Sequence, residues 1–295
     1  MLGTVRKGKI IDQNKNAYFV QVDGITYELK RQEITQDEVP KIGDEIQGFL
    51  YDNKQHDREM TQFLPFAQPD QYGWGKVTET KAGLGVFIDI GLPDKDVVLS
   101  IDDLPLEKER WPRRDDRLLV RLQTDEKDRI WAKLADESIF DQLSVHFPND
   151  MENKNVFATV YASREIGAFV ITDDYYLGFI HESQMVRPLR LGAQLKSRVI
   201  GISKYGRLNL SSLPRAFEEI GDDAQMIMMS LRRKNDKTLP FYDKSDAEDI
   251  KNYFGISKAA FKRAVGHLLK YKYITEDKAA GTITLIKDPD DDENK

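Results

Sequence analysis

The chain contains no cysteine, which excludes disulfides and thiolate metal sites, zinc fingers among them. Its four histidines, His56, His146, His181 and His267, are scattered without the spacing of metal ligands. No apolar run approaches the ~20 residues that cross a bilayer as a helix, and the opening stretch Met1 to Ile10 lacks the apolar centre of a signal peptide. A Gly-x-x-x-x-Gly-Lys-Ser/Thr loop is absent. The acidic run at residues 288–293 lacks the glycine and spacing of a calcium loop. No serine or aspartate is assembled with a base. These absences predict a soluble, cytoplasmic protein that is not an enzyme, holds no metal or cofactor and does not engage a membrane.

Charge is present but unevenly spread. The 295 residues carry a net charge of −6. Residues 156–215 hold 8 Lys+Arg against 4 Asp+Glu, and residues 224–287 hold 13 against 7, whereas residues 1–65 (9 against 11) and 70–136 (12 against 15) are slightly acidic. A polyanion responds to the local field, so the C-terminal half is the candidate for binding one.

The most informative stretch is residues 156–211. It carries Gly167-Ala168-Phe169-Val170, Gly178-Phe179-Ile180-His181-Glu182-Ser183 and Tyr205-Gly206-Arg207-Leu208-Asn209-Leu210-Ser211. Alternating apolar residues predict short strands, with glycine where the chain turns or a backbone approaches closely. A second copy runs from Gly75-Lys76-Val77 through Gly85-Val86-Phe87-Ile88 to Asp128-Arg129-Ile130-Trp131. A weaker first copy runs from Gly3-Thr4-Val5 through Ala17-Tyr18-Phe19-Val20 to Asp57-Arg58. The interval from phenylalanine to closing arginine is 38 residues in the third copy (Phe169 to Arg207), 42 in the second (Phe87 to Arg129) and 39 in the first (Phe19 to Arg58). Near-equal intervals with different fillers predict three divergent copies of one unit. A turn opens the fourth strand of each copy: Ile42-Gly43-Asp44, Leu191-Gly192, and Arg114-Asp115-Asp116, the last without glycine.

Past residue 224 the periodicity changes from two to nearly four. Met226, Ile227, Met229 and Leu231 predict a helix. Ser245 with Glu248 predicts a capping box for a second, ending at Phe254. Ser257 caps a third with Phe261, Val265, Leu268 and Leu269 on one face. Residues 273–286 predict a two-stranded wing. Residues 64–72 read as a linker and 214–223 as an acidic hinge.

The repeat resembles the RNA-binding repeat named after ribosomal protein S-one, a five-stranded OB-type barrel, and the C-terminal part resembles a winged-helix domain. The expected fold is multidomain and mainly β: three tandem five-stranded OB-fold barrels at residues 1–65, 71–136 and 154–213, an α+β winged helix at 224–287, and a disordered acidic tail at 288–295. Together they resemble the bacterial conserved virulence factor B family. That resemblance implies single-stranded RNA as partner and post-transcriptional regulation of gene expression, virulence factors included. Two alternatives stand beside it: a protein-interaction scaffold on a ribosome or ribonuclease, and a winged-helix DNA-binding regulator.

The residues expected to touch RNA in copy three are Phe169, Phe179, His181, Lys204, Tyr205 and Arg207. An aromatic in a strand is more often core, yet Phe179 and His181 are two apart and share a sheet face, which suits a wet stacking surface. His181 is either a structural histidine near a strand end or a nucleic-acid contact, and the resemblance implies the second. Arg207 is either half of a structural pair or a phosphate contact. Copy two offers Phe87, Asp125 and Arg129 but has Ser100 where copy three has its histidine. The family's aromatic ahead of Gly-x-Phe is replaced by Ile166 and Leu84, and its acidic residue four before the arginine, kept as Asp125, becomes Ser203. Copy one, without Gly-x-Phe, is expected to be a spacer or protein contact. In the winged helix, Lys258, Lys262, Arg263 and Lys270 on the third helix form a basic face, either merely solvated or nucleic-acid-binding.

Overall fold

The structure, a computed structural model, describes residues 2–35, 39–213 and 221–287. The expected tail, and most of the expected hinge, lie outside the described residues. The chain divides into two compact units, Met1–Ser212 and Leu213–Lys295.

The first unit holds three closed five-stranded barrels. Barrel one comprises β1 (Val5–Gln13), β2 (Ala17–Val22), β3 (Ile25–Lys30), β4 (Glu45–Asp52) and β5 (Arg58–Thr61); barrel two comprises β6 (Gly73–Lys81), β7 (Gly85–Asp89), β8 (Val97–Ser100), β9 (Arg117–Thr124) and β10 (Ile130–Leu134). Barrel three comprises β11 (Asn155–Arg164), β12 (Gly167–Thr172), β13 (Leu177–His181), β14 (Gln194–Ile202) and β15 (Leu208–Ser211), and a helix, α1 (Glu137–Leu143), precedes it. Each barrel closes by pairing its third strand parallel to its fifth, through Glu28↔Glu59, Val98↔Trp131 and Phe179↔Asn209. The first strand of each carries a bulge at the same place, between Ile10 and Asp12, Val77 and Glu79, and Val160 and Ala162. The extra residue sharpens the bend that closure requires.

The Gly-x-Phe signature has a steric cause. A Cβ on Gly85 would lie 1.9 Å from the Leu99 carbonyl oxygen, and one on Gly167 would lie 2.2 Å from that of Ile180. Both glycines also hold positive φ, 141° and 148°, so neither position tolerates a side chain. The turn into the fourth strand is filled in the same conformation by Gly43, Asp115 and Gly192, whose N–H groups donate to the carbonyls of Ile10, Val77 and Val160 respectively. Asp115 adopts φ 74°. Aspartate tolerates this left-handed region better than most residues, which is how copy two dispenses with glycine.

Barrels one and two share one core, in which Tyr18, Tyr27, Phe49, Met60, Val86, Ile88 and Leu99 are fully buried or nearly so. The expected linker is packed rather than free: Ala67 is fully buried, the Phe66 N–H donates to the Ile90 carbonyl, and the Phe66 ring crosses Gly91 so closely that a Cβ there would lie 3.1 Å from it. Barrels two and three meet through α1, capped by the Asp136 carboxylate. Its buried Phe140 stacks on Tyr161 with centroids 4.1 Å apart and meets Trp74 at 6.2 Å.

The second unit holds α2 (Asp222–Arg232), β16 (Thr238–Leu239), α3 (Ala247–Phe254), α4 (Lys258–Lys270), β17 (Ile274–Asp277) and β18 (Thr282–Leu285). This is a winged helix with two corrections to the sequence reading. The wing sheet has three strands, in order β16-β18-β17; two residues are too short to show periodicity. The cap of α3 is Asp246, whose carboxylate accepts from the Glu248 N–H, while Ser245 Oγ accepts from the Tyr242 N–H in the preceding turn. Ser257 caps α4 as expected, accepting from the Ala260 N–H at 3.2 Å. No helix among the described residues is long and apolar enough to cross a membrane.

Two stability outcomes follow. Phe140→Ala should cost about 3–5 kcal/mol, read from the urea midpoint, because its ring fills the seam between barrels two and three. Burial pushes the carboxyl of Glu33, only 1% exposed, above the usual carboxylate range, while Thr61 and Lys30 pull it down. Unfolded glutamate titrates near ~4.3. Below that pH the carboxyl is protonated in both states; above it the unfolded chain ionises first, so stability falls until the folded carboxyl ionises too. Glu33→Gln should therefore raise the urea midpoint at pH 7 and leave it unchanged near pH 4, and equal midpoints at both would refute the assignment.

Candidate nucleic-acid interface

Register places three outward residues side by side across strands two, three and five of each barrel. In barrel three they are Phe169, Phe179 and Asn209; in barrel two Phe87, Val98 and Trp131; in barrel one Phe19, Glu28 and Glu59. Residues on either side alternate inward, so each triplet lies on one face.

Barrel three presents an open cleft of about 680 Å³, lined among others by Phe169, Phe179, Tyr205, Arg207, Asn209 and the α1 residue Asp141. The Phe169 and Phe179 rings are half-buried with centroids 4.9 Å apart. Arg207 lies 5.4 Å and Arg164 5.1 Å from the Phe169 centroid. Tyr205 is 79% exposed with the Lys204 ammonium 5.0 Å from its ring. Ile166, where the family has an aromatic, is exposed at the cleft edge. His181 is exposed, its ring edge-on to Phe179 at 6.3 Å. Its Nδ1 accepts from the Ser183 N–H at 3.2 Å, which in the neutral ring leaves the proton on Nε2 as an outward donor. The structural reading of the histidine is met: Nδ1 caps the turn after β13, as the hydroxyl of Ser100 does after β8.

The closing arginines differ between barrels. In barrel two, Asp125 accepts from Arg129 Nε at 2.8 Å, from the Trp131 indole N–H at 3.1 Å and from the backbone N–H groups of Lys127 and Arg129. The Arg129 hydrogen bonds hold its carboxyl far below the usual range. Asp125 is thus a tether for Arg129, which lies 5.4 Å from the Trp131 ring. In barrel three, Ser203 Oγ keeps only the backbone part, accepting from the N–H groups of Tyr205 and Arg207. The Arg207 guanidinium reaches instead to Asp141 at 3.2 Å and the Tyr161 hydroxyl at 3.4 Å, over Phe169.

Arg58 is not the third member of that set. The hairpin bonds Asn53 N–H to Asp57 O, Asp125 N–H to Arg129 O and Ser203 N–H to Arg207 O are equivalent, so the barrel-one counterpart is Asp57, one residue before the arginine that the intervals point to. The barrel-one face is acidic and spent. Glu59, 4% exposed, accepts from Lys30 at 2.9 Å, the Tyr51 hydroxyl at 2.7 Å and Asn53 Nδ2 at 2.8 Å. Lys30 also donates to Asp94 of barrel two at 3.1 Å, and Lys95 of barrel two pairs with Asp52. Burial pulls the Lys30 ammonium down, but the hydrogen bonds to Glu59 and Asp94 prevail and it is pushed up to about 12.

In the winged helix, Lys262, Arg263 and Lys270 are exposed on α4 and Lys258 is half-buried, donating to the Lys244 carbonyl at 3.4 Å. At 3.6 residues per turn the exposed positions Ala259, Lys262, Arg263, Gly266 and Lys270 share one face. A Cβ on Gly266 would meet nothing within 4 Å, so the middle of this basic face is open.

Sequence reading missed Trp131, Asn209, Tyr161 and the place of Asp141 at the cleft wall, although Ile139, Phe140 and Leu143 do predict the short helix that carries it. Trp131 and Asn209 stand two residues past the closing arginine, and that shared offset was the available signal.

Barrels of this kind followed by a winged helix, with ring-lined and basic surfaces, define a protein built from domains of nucleic-acid-binding types rather than catalytic ones. Family models match barrel one as an S1 domain (residues 2–62), barrel two as the CvfB first S1-like domain (72–133), α1 with barrel three as the second domain of virulence regulatory factor CvfB (140–214), and the C-terminal unit as a CvfB-like winged helix domain (225–283). Conserved virulence factor B of Staphylococcus aureus is 36% identical over 97% of this chain and 95% of its own length. An uncharacterized protein of Bacillus subtilis, YitL, is 37% identical over 88% of this chain and 85% of its own. A solved multidomain protein with nucleic acid binding domains from Streptococcus pneumoniae is 43% identical, covers 97% of this chain and 98% of its own, and superposes with a TM-score of 0.70. The chain belongs to the conserved virulence factor B family.

Ser203→Asp tests the difference between the two arginines. The new carboxylate should draw Arg207 off the cleft as Asp125 draws Arg129. Affinity for a single-stranded oligonucleotide, read by fluorescence anisotropy, should fall about tenfold, the worth of one charged hydrogen bond. Unchanged affinity would show that Arg207 does not contribute.

Proposed function

We propose that this chain binds single-stranded RNA and regulates gene expression after transcription, that of virulence factors included. The observation that supports it best is the barrel-three cleft, where two half-buried phenylalanines, an exposed tyrosine and an arginine held over a ring line one groove. Unpaired bases stack on such rings at ~1–3 kcal/mol each, which a duplex with stacked bases does not offer. Phe169 and Phe179 carry the bases; Arg207, Lys204 and the Nε2–H of His181 meet phosphate or sugar. Barrel two gives a second, weaker platform from Phe87 and Trp131 with Arg129, oriented by Asp125. The α4 face, with Lys258, Lys262, Arg263 and Lys270, supplies sequence-independent phosphate contacts of its own. Barrel one serves as a structural partner of barrel two, because Lys30, Asp94 and Lys95 occupy its acidic face.

Affinity for a single-stranded RNA should fall with salt at a log–log slope of about −0.7 per phosphate contacted. Phe169→Ala with Phe179→Ala should weaken binding by at least about 30-fold, roughly 2 kcal/mol, with the slope unchanged. A flat salt response or wild-type affinity in the double variant would refute the reading, and preferential competition by duplex DNA would assign the chain to DNA.

A further inference from the structure

Asn209 stands on β15 in the middle of the barrel-three cleft. Its neighbours Leu208 and Leu210 are buried, and Asn209 itself is half-buried and faces outward. Across one strand boundary it is in register with Phe179. Across the other it is in register with Gly201, where β14 carries a bulge. Gly201 adopts φ 156° and has no side chain to cover the amide; a Cβ there would sit 4.0 Å from Asn209 Nδ2. The carboxamide makes no hydrogen bond among the described residues, although Ser203, Tyr161 and Asp141 around it are all engaged.

A carboxamide has one acceptor oxygen and two donor hydrogens in a plane. Beside a stacking ring, that plane lies at the edge of a stacked base. Each base edge presents an adjacent donor and acceptor, and their arrangement differs from base to base. Stacking and phosphate contacts do not distinguish bases. The equivalent position holds Trp131, whose only polar atom is bound to Asp125, and Glu59, which is buried under three donors. Of the three, only Asn209 has polar atoms free to read.

We propose that Asn209 is the specificity-determining residue of the cleft, its carboxamide pairing with the edge of the base stacked on Phe179, so that barrel three selects among bases while barrel two does not. This rests on the single-stranded RNA reading. Binding of oligo(A), oligo(C) and oligo(U) octamers to the full chain would be measured for the wild type, Asn209→Ala and Asn209→Ser. In the wild type the tightest and weakest octamers should differ by about tenfold or more, the worth of one good bidentate pair. In both variants the spread should shrink to within about threefold, with the salt slope unchanged because no phosphate contact is lost. A urea midpoint equal to that of the wild type shows that the variants are folded. An undiminished spread in both variants, or wild-type binding of all three octamers with equal affinity, would overturn the assignment and leave RNA binding standing. Binding of none would overturn both.

Discussion

The parallel pairing of third strand on fifth closes each barrel, and everything on the outer face depends on its register. Once Phe179 is opposite Asn209, Val98 opposite Trp131 and Glu28 opposite Glu59, the middle of each face is decided by which residue falls there. A slip of one residue would turn each outward side chain into the core. The neighbouring register, of strand two on strand three, is fixed locally by the glycine two residues before Phe87 and Phe169, since a carbonyl of strand three occupies the space a side chain would need. In barrel one that place is held by Ala17, paired with Lys30.

One scaffold thereby carries three electrostatic outcomes. Barrel three leaves an arginine over a ring, with its partners at the cleft wall. Barrel two ties the same arginine to a carboxylate in its own hairpin. Barrel one inverts the charge, and Glu59 needs an ammonium from β3 together with a tyrosine and an asparagine to be buried at all. A carboxylate taken out of water without such donors is costly. The barrel-two loop that brings Asp94 and Lys95 completes this arrangement, so the barrel-one face is part of the joint between the two barrels.

The three-barrel and winged-helix architecture was legible in the sequence because its signals are steric and local. Glycine before phenylalanine, the Ser257 cap of α4 and a change of period are all visible without knowing what lies across the sheet. The errors share a cause. Asp57 and Arg58 are adjacent, and only the hairpin bonds show which one closes the barrel. Asp115 hides a glycine position because aspartate also accepts positive φ. Asp246 took the cap from Ser245 because the two neighbours are both good caps. The roles of Asp141, Trp131 and Asn209 were not legible because they depend on residues distant in sequence: Asp141 on Arg207, Asn209 on Gly201 and Phe179. Of the residues singled out beforehand, Phe169, Phe179, Tyr205 and Arg207 do line one cleft, while Asp125 serves its neighbouring arginine.

The core shared by the first two barrels also sets an order of events during synthesis. Phe66 packs on Gly91, Leu2 accepts a hydrogen bond from Thr124, and Gly3 sits against Ile130. The seam between the first two barrels therefore joins residues at the very start of the chain to residues about 120–130 positions later, so it forms only after the second barrel has been synthesised. Until then its apolar side and its acidic face are both uncovered. Domains of a growing chain generally fold one at a time from the N-terminus. The third barrel, with its own core, does not depend on that seam.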